Sequence, residues 1–172
     1  EQLSVAQAQH RWSLSPAVQA HETGNLDLEQ FAAAWCEEQQ LGSGEQVKSA
    51  FLSLLGELKP YTEPMLEILG ERFTLSMLSN ISHAHIQRLD ERVALKRQFS
   101  RRFFSCDLGK MKPAADVFQR VVSELQSDAG QIAFFDDTGI HVDAAIASGL
   151  HAWRVDSPQE IMQIIQTEEI FL

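Results

Sequence analysis

The feature that most restricts this chain is the run Ile132-Ala133-Phe134-Phe135-Asp136-Asp137. Apolar residues leading without a spacer into two carboxylates read as a short buried strand whose end opens onto solvent or a ligand. Similar short runs recur around it. Strands are expected at 73–78, ending at Ser79-Asn80, and at 103–105, 132–135 and 151–155. Between them the helical period predicts helices over 65–70, 83–93, 113–125 and 142–148, the last closed by Gly149, and Ser157-Pro158 opens a final one. Strands alternating with helices imply right-handed crossovers and a Rossmann-like α/β core, a parallel sheet flanked by helices. In such sheets ligands lie beyond the carboxyl ends of the strands, where Ser79-Asn80 and Asp136-Asp137 both fall.

The first third of the chain has a different texture. Residues 2–12 are rich in Ala, Gln and Leu, which favour helix. Ser15-Pro16 has the form of an N-cap followed by proline in the first turn. Asp27 can cap a helix reaching about Gln39, with Leu28, Phe31, Ala32 and Trp35 on one face, and 45–58 reads as another amphipathic helix. Nothing here alternates with period two. Residues 1–60 therefore read as a small helical bundle and 61–172 as the α/β core.

Charge excludes some functions. The formal net charge is −10, which argues against affinity for nucleic acid, because that relies on dense Lys and Arg neutralising phosphates. The basic run from Lys96 to Arg102 is better read as a solvated helix end or loop than as a polyanion patch. No stretch approaches the ~20 apolar residues of a membrane span. No basic segment followed by an apolar core marks a signal peptide near Glu1. Cys36 and Cys106 form no CxxC pair and no metal-ligand spacing, and read as reduced thiols of a cytoplasmic protein.

Each candidate site residue has a bland reading and a chemical one. Asp136 and Asp137 repel each other unless a cation or hydrogen-bond donors neutralise them, and an oxygen-only set suits Mg2+. They could equally cap the following helix. Ser79-Asn80 could hold a phosphoryl oxygen or simply make a turn. Lys112 could present an ammonium to a phosphate or stand as a surface lysine before a helix.

Order and spacing weigh more than any of these alone. The motifs Leu78-Ser79-Asn80-Ile81-Ser82, then Gly109-Lys110-Met111-Lys112-Pro113 with Phe118, then Phe134-Phe135-Asp136-Asp137-Thr138 with Val142-Asp143-Ala144-Ala145, resemble motifs two, three and four of the haloacid dehalogenase superfamily. The front end, with Ser15-Pro16-Ala17, Glu22-Thr23-Gly24-Asn25-Leu26 and Phe31, is similar to that family's small helical cap, as found in its sugar-phosphate phosphatase-like branch. The resemblance spans essentially the whole chain. It implies a hydrolase in which an aspartate attacks phosphorus, or carbon in dehalogenases, to form an aspartyl intermediate while Mg2+ offsets charge. It assigns Ser79, with the Asn80 backbone, to the phosphoryl group and Lys112 to charge on nucleophile and phosphate. Asp137, with Asp136, is assigned to Mg2+ directly or through water. A small phosphorylated metabolite, a sugar phosphate for instance, is the expected substrate.

The departures from the pattern are definite. The family's first motif, an apolar strand ending in Asp-x-Asp, is absent, and no Asp-x-Asp occurs among the 172 residues. The first core strand is thus expected to be missing and the chain as it stands to be inactive. The reading is either an N-terminally incomplete hydrolase or a pseudoenzyme that binds a phosphorylated ligand or a protein partner. Loss of a central strand would leave a gap worth several kcal/mol, or one filled by self-association along the sheet. Ala114-Ala115 replaces the usual polar residue and proline, and His141 stands where Asn or Asp is common. A receiver-like α/β module also carries an acidic pair, but the helical front end and Ser79-Asn80 fit it poorly.

Overall fold

The computed structural model describes residues 11–92 and 98–167. The helix expected over 2–12 lies almost wholly outside them, as do Lys96 and Arg97 of the basic run. After a helical stretch at 11–14, the elements are α1 (Pro16–Glu22), α2 (Leu28–Gln39), α3 (Gly44–Ser53), α4 (Thr62–Gly70), β1 (Ser76–Ser79), α5 (His83–Arg92), β2 (Arg101–Phe104), α6 (Ser105–Leu108), α7 (Ala115–Leu125), β3 (Ala133–Asp136), α8 (Gly139–Ala147), β4 (His151–Arg154) and α9 (Pro158–Thr167). The class is α/β as expected. Among the described residues β1 pairs with β2 and β3 with β4, the latter pair parallel as expected. No helix among the described residues is long and apolar enough to cross a membrane.

The chain divides into two compact units. The first comprises Glu1–Gly56, Leu78–Val93 and Phe104–Gly109. Its helices start where side-chain chemistry dictates. Ser15 accepts the Val18 N–H with Pro16 in the first turn, and Asp27 closes a capping box with Gln30, each cap stabilising by ~1 kcal/mol. α3 is shorter than expected, ending at Ser53. Leu54 is 63% exposed, Gly56 follows, and Pro60 disfavours helical backbone in the residue before it. Ala17, Val18, Phe31 and Phe51 form the core, with Trp12, Trp35, Val47 and Leu52 packed around it.

Two histidines belong to this core. His21 stacks on Phe31 at 4.7 Å, and its Nδ1–H donates to the Leu26 carbonyl, leaving a buried Nε2 with no partner. His85 stacks on Phe51 at 4.2 Å and donates from Nε2 to the Phe51 carbonyl. Burial is the largest influence on each and lowers both from the ordinary 6.5. In the unfolded chain they protonate near 6.5 but in the folded one only below it, so the unfolded state takes up more protons on acidification. Stability is therefore expected to be full above about pH 7 and to be lost progressively as pH falls below ~6.5. Thermal unfolding between pH 7.5 and 5 checks this, and His85→Gln should flatten the dependence. A melting temperature indifferent to pH over that window would contradict the assignment.

The second unit comprises Glu57–Met77, Ala94–Phe103 and Lys110–Leu172. β3 and β4 run parallel, with Ala133 beside His151, Phe134 beside Ala152, Phe135 beside Trp153 and Asp136 beside Arg154. Successive side chains alternate faces. Phe135 stacks on Trp153 at 5.3 Å, while Phe134 meets Phe118 of α7 edge-on at 5.6 Å. α8 packs on both strands and on α7, and α4 packs with α9. α7 begins at Ala115 rather than Pro113, because the Ala114 N–H bonds to the Met111 carbonyl and holds Lys112 and Pro113 in a turn. α8 begins earlier than expected, at Gly139, since the Thr138 carbonyl accepts the His141 and Val142 N–H groups.

Candidate functional site

Asp136 is the last residue of β3, and the chain turns directly into α8. The turn before α7 brings Lys112 to it, with Nζ 2.5 Å from Oδ2 and both side chains less than a tenth exposed. Lys112 also lies over the Phe134 ring, 5.4 Å from its centroid. The other carboxylate oxygen, Oδ1, accepts the Thr138 backbone N–H at 2.8 Å and His141 Nδ1–H at 3.1 Å. A buried carboxylate is tolerable only when so neutralised. Burial by itself would raise the Asp136 carboxyl. The bond from His141, the charge and hydrogen bond of Lys112 and the Thr138 N–H together outweigh it and hold the group well below the usual carboxylate range.

Asp137 has the opposite character. It is exposed; its Oδ1 accepts Thr138 Oγ1–H at 3.1 Å, and its backbone carbonyl accepts Arg154 Nε–H at 3.1 Å. It stands just before the N-terminus of α8, which favours negative charge there. The adjacent carboxylates are thus differentiated: one is buried and saturated by donors, the other points to solvent with coordination capacity to spare. That all-oxygen donor is chemically fit for a hard cation, with Asp137 the accessible ligand and Asp136 already carrying three donors.

Ser79 and Asn80 belong to the first unit, while Lys112, Asp136 and Asp137 belong to the second. Ser79 closes β1, half-buried, with Oγ 3.5 Å from the Asn80 carbonyl. The backbone beyond it is pinned by Ser105, whose Oγ accepts the Ile81 N–H at 2.9 Å and donates to the Glu22 carbonyl at 2.6 Å. Sequence reasoning placed Ser105 at the end of a strand. It instead opens α6 and is 1% exposed, and only its position in the Phe-Phe-Ser-Cys run hinted at burial. His141 proves to be a partner of Asp136, and Trp35 packs on the first core, as helical periodicity suggested, together with Trp12.

Residues 5–149 match the family described as haloacid dehalogenase-like hydrolase. Several solved structures share the fold. A HAD family enzyme of Bacteroides thetaiotaomicron, determined with magnesium and inorganic phosphate, has a TM-score of 0.75 at 20% identity, covering 86% of this chain and 78% of its own. A predicted HAD-like family hydrolase of Porphyromonas gingivalis has a TM-score of 0.75 at 22% identity, covering 92% and 84%. A 2-haloacid dehalogenase of Pseudomonas syringae pv. tomato has a TM-score of 0.59 at 20% identity, covering 96% and 82%.

Proposed function

The chain belongs to the haloacid dehalogenase-like hydrolases, and from that premise we propose that its site is that of a Mg2+-dependent phosphatase of a small phosphorylated metabolite such as a sugar phosphate. The observation that carries this reading is the buried Lys112–Asp136 pair beside the exposed Asp137. Lys112 is held in place by Asp136, so its ammonium is oriented before any phosphate arrives and loses little freedom on binding one. Asp137 would take the cation, with Asp136, whose oxygens already hold Lys112, Thr138 and His141, supporting it chiefly through water. Ser79 Oγ–H and the Asn80 backbone hydrogen-bond the transferring phosphoryl group. When bound, Mg2+ offsets the repulsion between the phosphate and the carboxylates. Residues 1–60 act as the cap that selects the substrate and 61–172 as the catalytic core, in the cytoplasm.

A phosphate suits this set better than a haloacid, because a lysine and a divalent cation together match a dianion. Support also comes from the magnesium and phosphate bound by the B. thetaiotaomicron enzyme. The 172 residues include no Asp-x-Asp. They supply groups that bind and polarise a phosphoryl ester but not the carboxylate that attacks it, so they are expected to bind without turnover. β3 pairs only with β4 among the described residues, and its other edge offers a place for a further strand, from this polypeptide or a second copy.

The test compares hydrolysis of p-nitrophenyl phosphate with Mg2+ by this chain and by the same chain preceded by whatever its gene encodes upstream. The expected result is no turnover by the first and turnover by the second, falling ~100-fold or more in Lys112→Ala and Asp137→Asn. Turnover by the 172-residue chain alone would overturn the assignment. An upstream sequence without Asp-x-Asp, with an inert folded chain that binds phosphate, would establish a non-catalytic binding protein instead.

A further inference from the structure

We propose that His83, Cys106 and Asp107 form a second cation site, separate from the carboxylates at the end of β3 and selective for a thiophilic divalent ion such as zinc. All three lie in the first unit, His83 at the start of α5 and the other two on α6. One donor atom from each lies within 4.8 Å of the others. His83 Nε2 is 3.0 Å from Asp107 Oδ1. Tetrahedral zinc, with bonds of ~2.0–2.3 Å, sets its ligand atoms roughly 3.3–3.7 Å apart. A donor pair at the 4.8 Å limit has to close by roughly 1.1–1.5 Å to reach that spacing, a change shared between two side chains.

The backbone holds the ligands in place before any ion binds. Ser105, next to Cys106, is hydrogen-bonded to the Ile81 N–H, two residues before His83, and to the Glu22 carbonyl. Gly24 closes the cluster from behind. A Cβ there would lie 2.4 Å from the Cys106 carbonyl oxygen and 3.3 Å from His83 Cε1, and its φ of +77° suits glycine. Three chain segments are thus clamped around one sulfur, one imidazole and one carboxylate.

The donor set decides the ion. One thiol, one imidazole and one carboxylate match borderline-soft zinc, whereas magnesium takes oxygen donors. Burial, then Asp107, push the Cys106 thiol up to about 11, so at neutral pH the sulfur is protonated. On binding, the S–H proton leaves to solvent and the sulfur–metal bond forms. The His83 N–H moves to Nδ1, freeing the Nε2 lone pair, and the His83–Asp107 hydrogen bond is exchanged for two metal bonds. Thiolate and carboxylate then balance the dication. The side chains of His83 and Asp107 are 62% and 59% exposed, so the ion has an entry path and a fourth position open to water.

Cobalt(II) titration of the purified 172-residue chain tests this under reducing conditions. The expected result is a thiolate-to-cobalt charge-transfer band saturating at one equivalent, displaced by Zn2+ and unaffected by excess Mg2+. Cys106→Ser should abolish the band, and His83→Ala, at an exposed position that spares the fold, should weaken binding by about tenfold or more. Cys36→Ser and Asp137→Asn should leave the band intact, which separates this site from the proposed phosphatase centre. The proposal falls if no band forms, if the band survives Cys106→Ser, or if it depends on Cys36 instead.

Discussion

Lys112→Met is expected to destabilise the chain by about 3–5 kcal/mol, because it leaves the Asp136 carboxylate buried without its cation. Asp136 would keep the Thr138 N–H and His141 bonds, but these do not replace an ammonium 2.5 Å away. The double variant Lys112→Met/Asp136→Asn should regain at least ~2 kcal/mol of the loss, since an amide at 136 can still accept from both donors without carrying charge. Urea unfolding of the three proteins at pH 7 measures it, and a double variant no more stable than the single one would show that the orphaned charge is not the cause. The pH dependence has a definite sign. Because folding lowers the Asp136 carboxyl from its ordinary 3.8, its contribution is present above that value and lost as pH falls through the depressed one. In Lys112→Met that acid sensitivity should shrink.

The second large effect is expected at Phe31, which is 0% exposed and contacts Trp12, His21, Trp35 and Phe51 with ring centroids between 4.7 and 6.2 Å. Phe31→Ala removes the shared wall of this cluster and should cost about 3–5 kcal/mol, with Phe31→Leu costing roughly half as much because more of the volume stays filled. Tryptophan signals distinguish local from global damage. Trp12 and Trp35 report on this core, while Trp153 sits in the other unit, stacked on Phe135. Near-ultraviolet circular dichroism and denaturant titration should show the first pair melting early. A change confined to Trp153 would refute the packing described.

Helix starts that carry a side-chain cap were legible, because a cap's chemistry is confined to four or five neighbouring residues. Those of α4, α7 and α8, which lack one, were misplaced by two or three residues. Ser15-Pro16, Asp27 with Gln30, and Ser157 ahead of Pro158 each carry their own donor and acceptor. The strands were legible as apolar runs, although β1 and β2 both sit a few residues from where hydropathy alone puts them. The parallel sense was legible from the alternation of strands with helices, and β3 and β4 pair that way. Which strands are neighbours was not, because partners are chosen by residues far apart in the chain. The candidate site divides in the same way. Asp136 and Asp137 announce themselves as a pair, but their different fates depend on Lys112, 24 residues earlier, and on His141 one helical turn later. The role of Ser105 in fixing the backbone after Ser79-Asn80 rests on contacts to Ile81 and Glu22, which no local pattern encodes.

The way the first unit is threaded has a consequence for how the protein comes to exist. Its three stretches, Glu1–Gly56, Leu78–Val93 and Phe104–Gly109, are separated by segments belonging to the other unit. During synthesis the front helices emerge long before Ser105 can reach the Glu22 carbonyl. The nascent bundle therefore waits, partly open, while dozens more residues leave the ribosome. Closing such long loops before the contacts that reward them slows folding and prolongs exposure of apolar surface. A cut after Gly56 would strip the front helices of the Ser105–Glu22 and His85–Phe51 hydrogen bonds, and neither unit can be moved into another polypeptide as one continuous cassette.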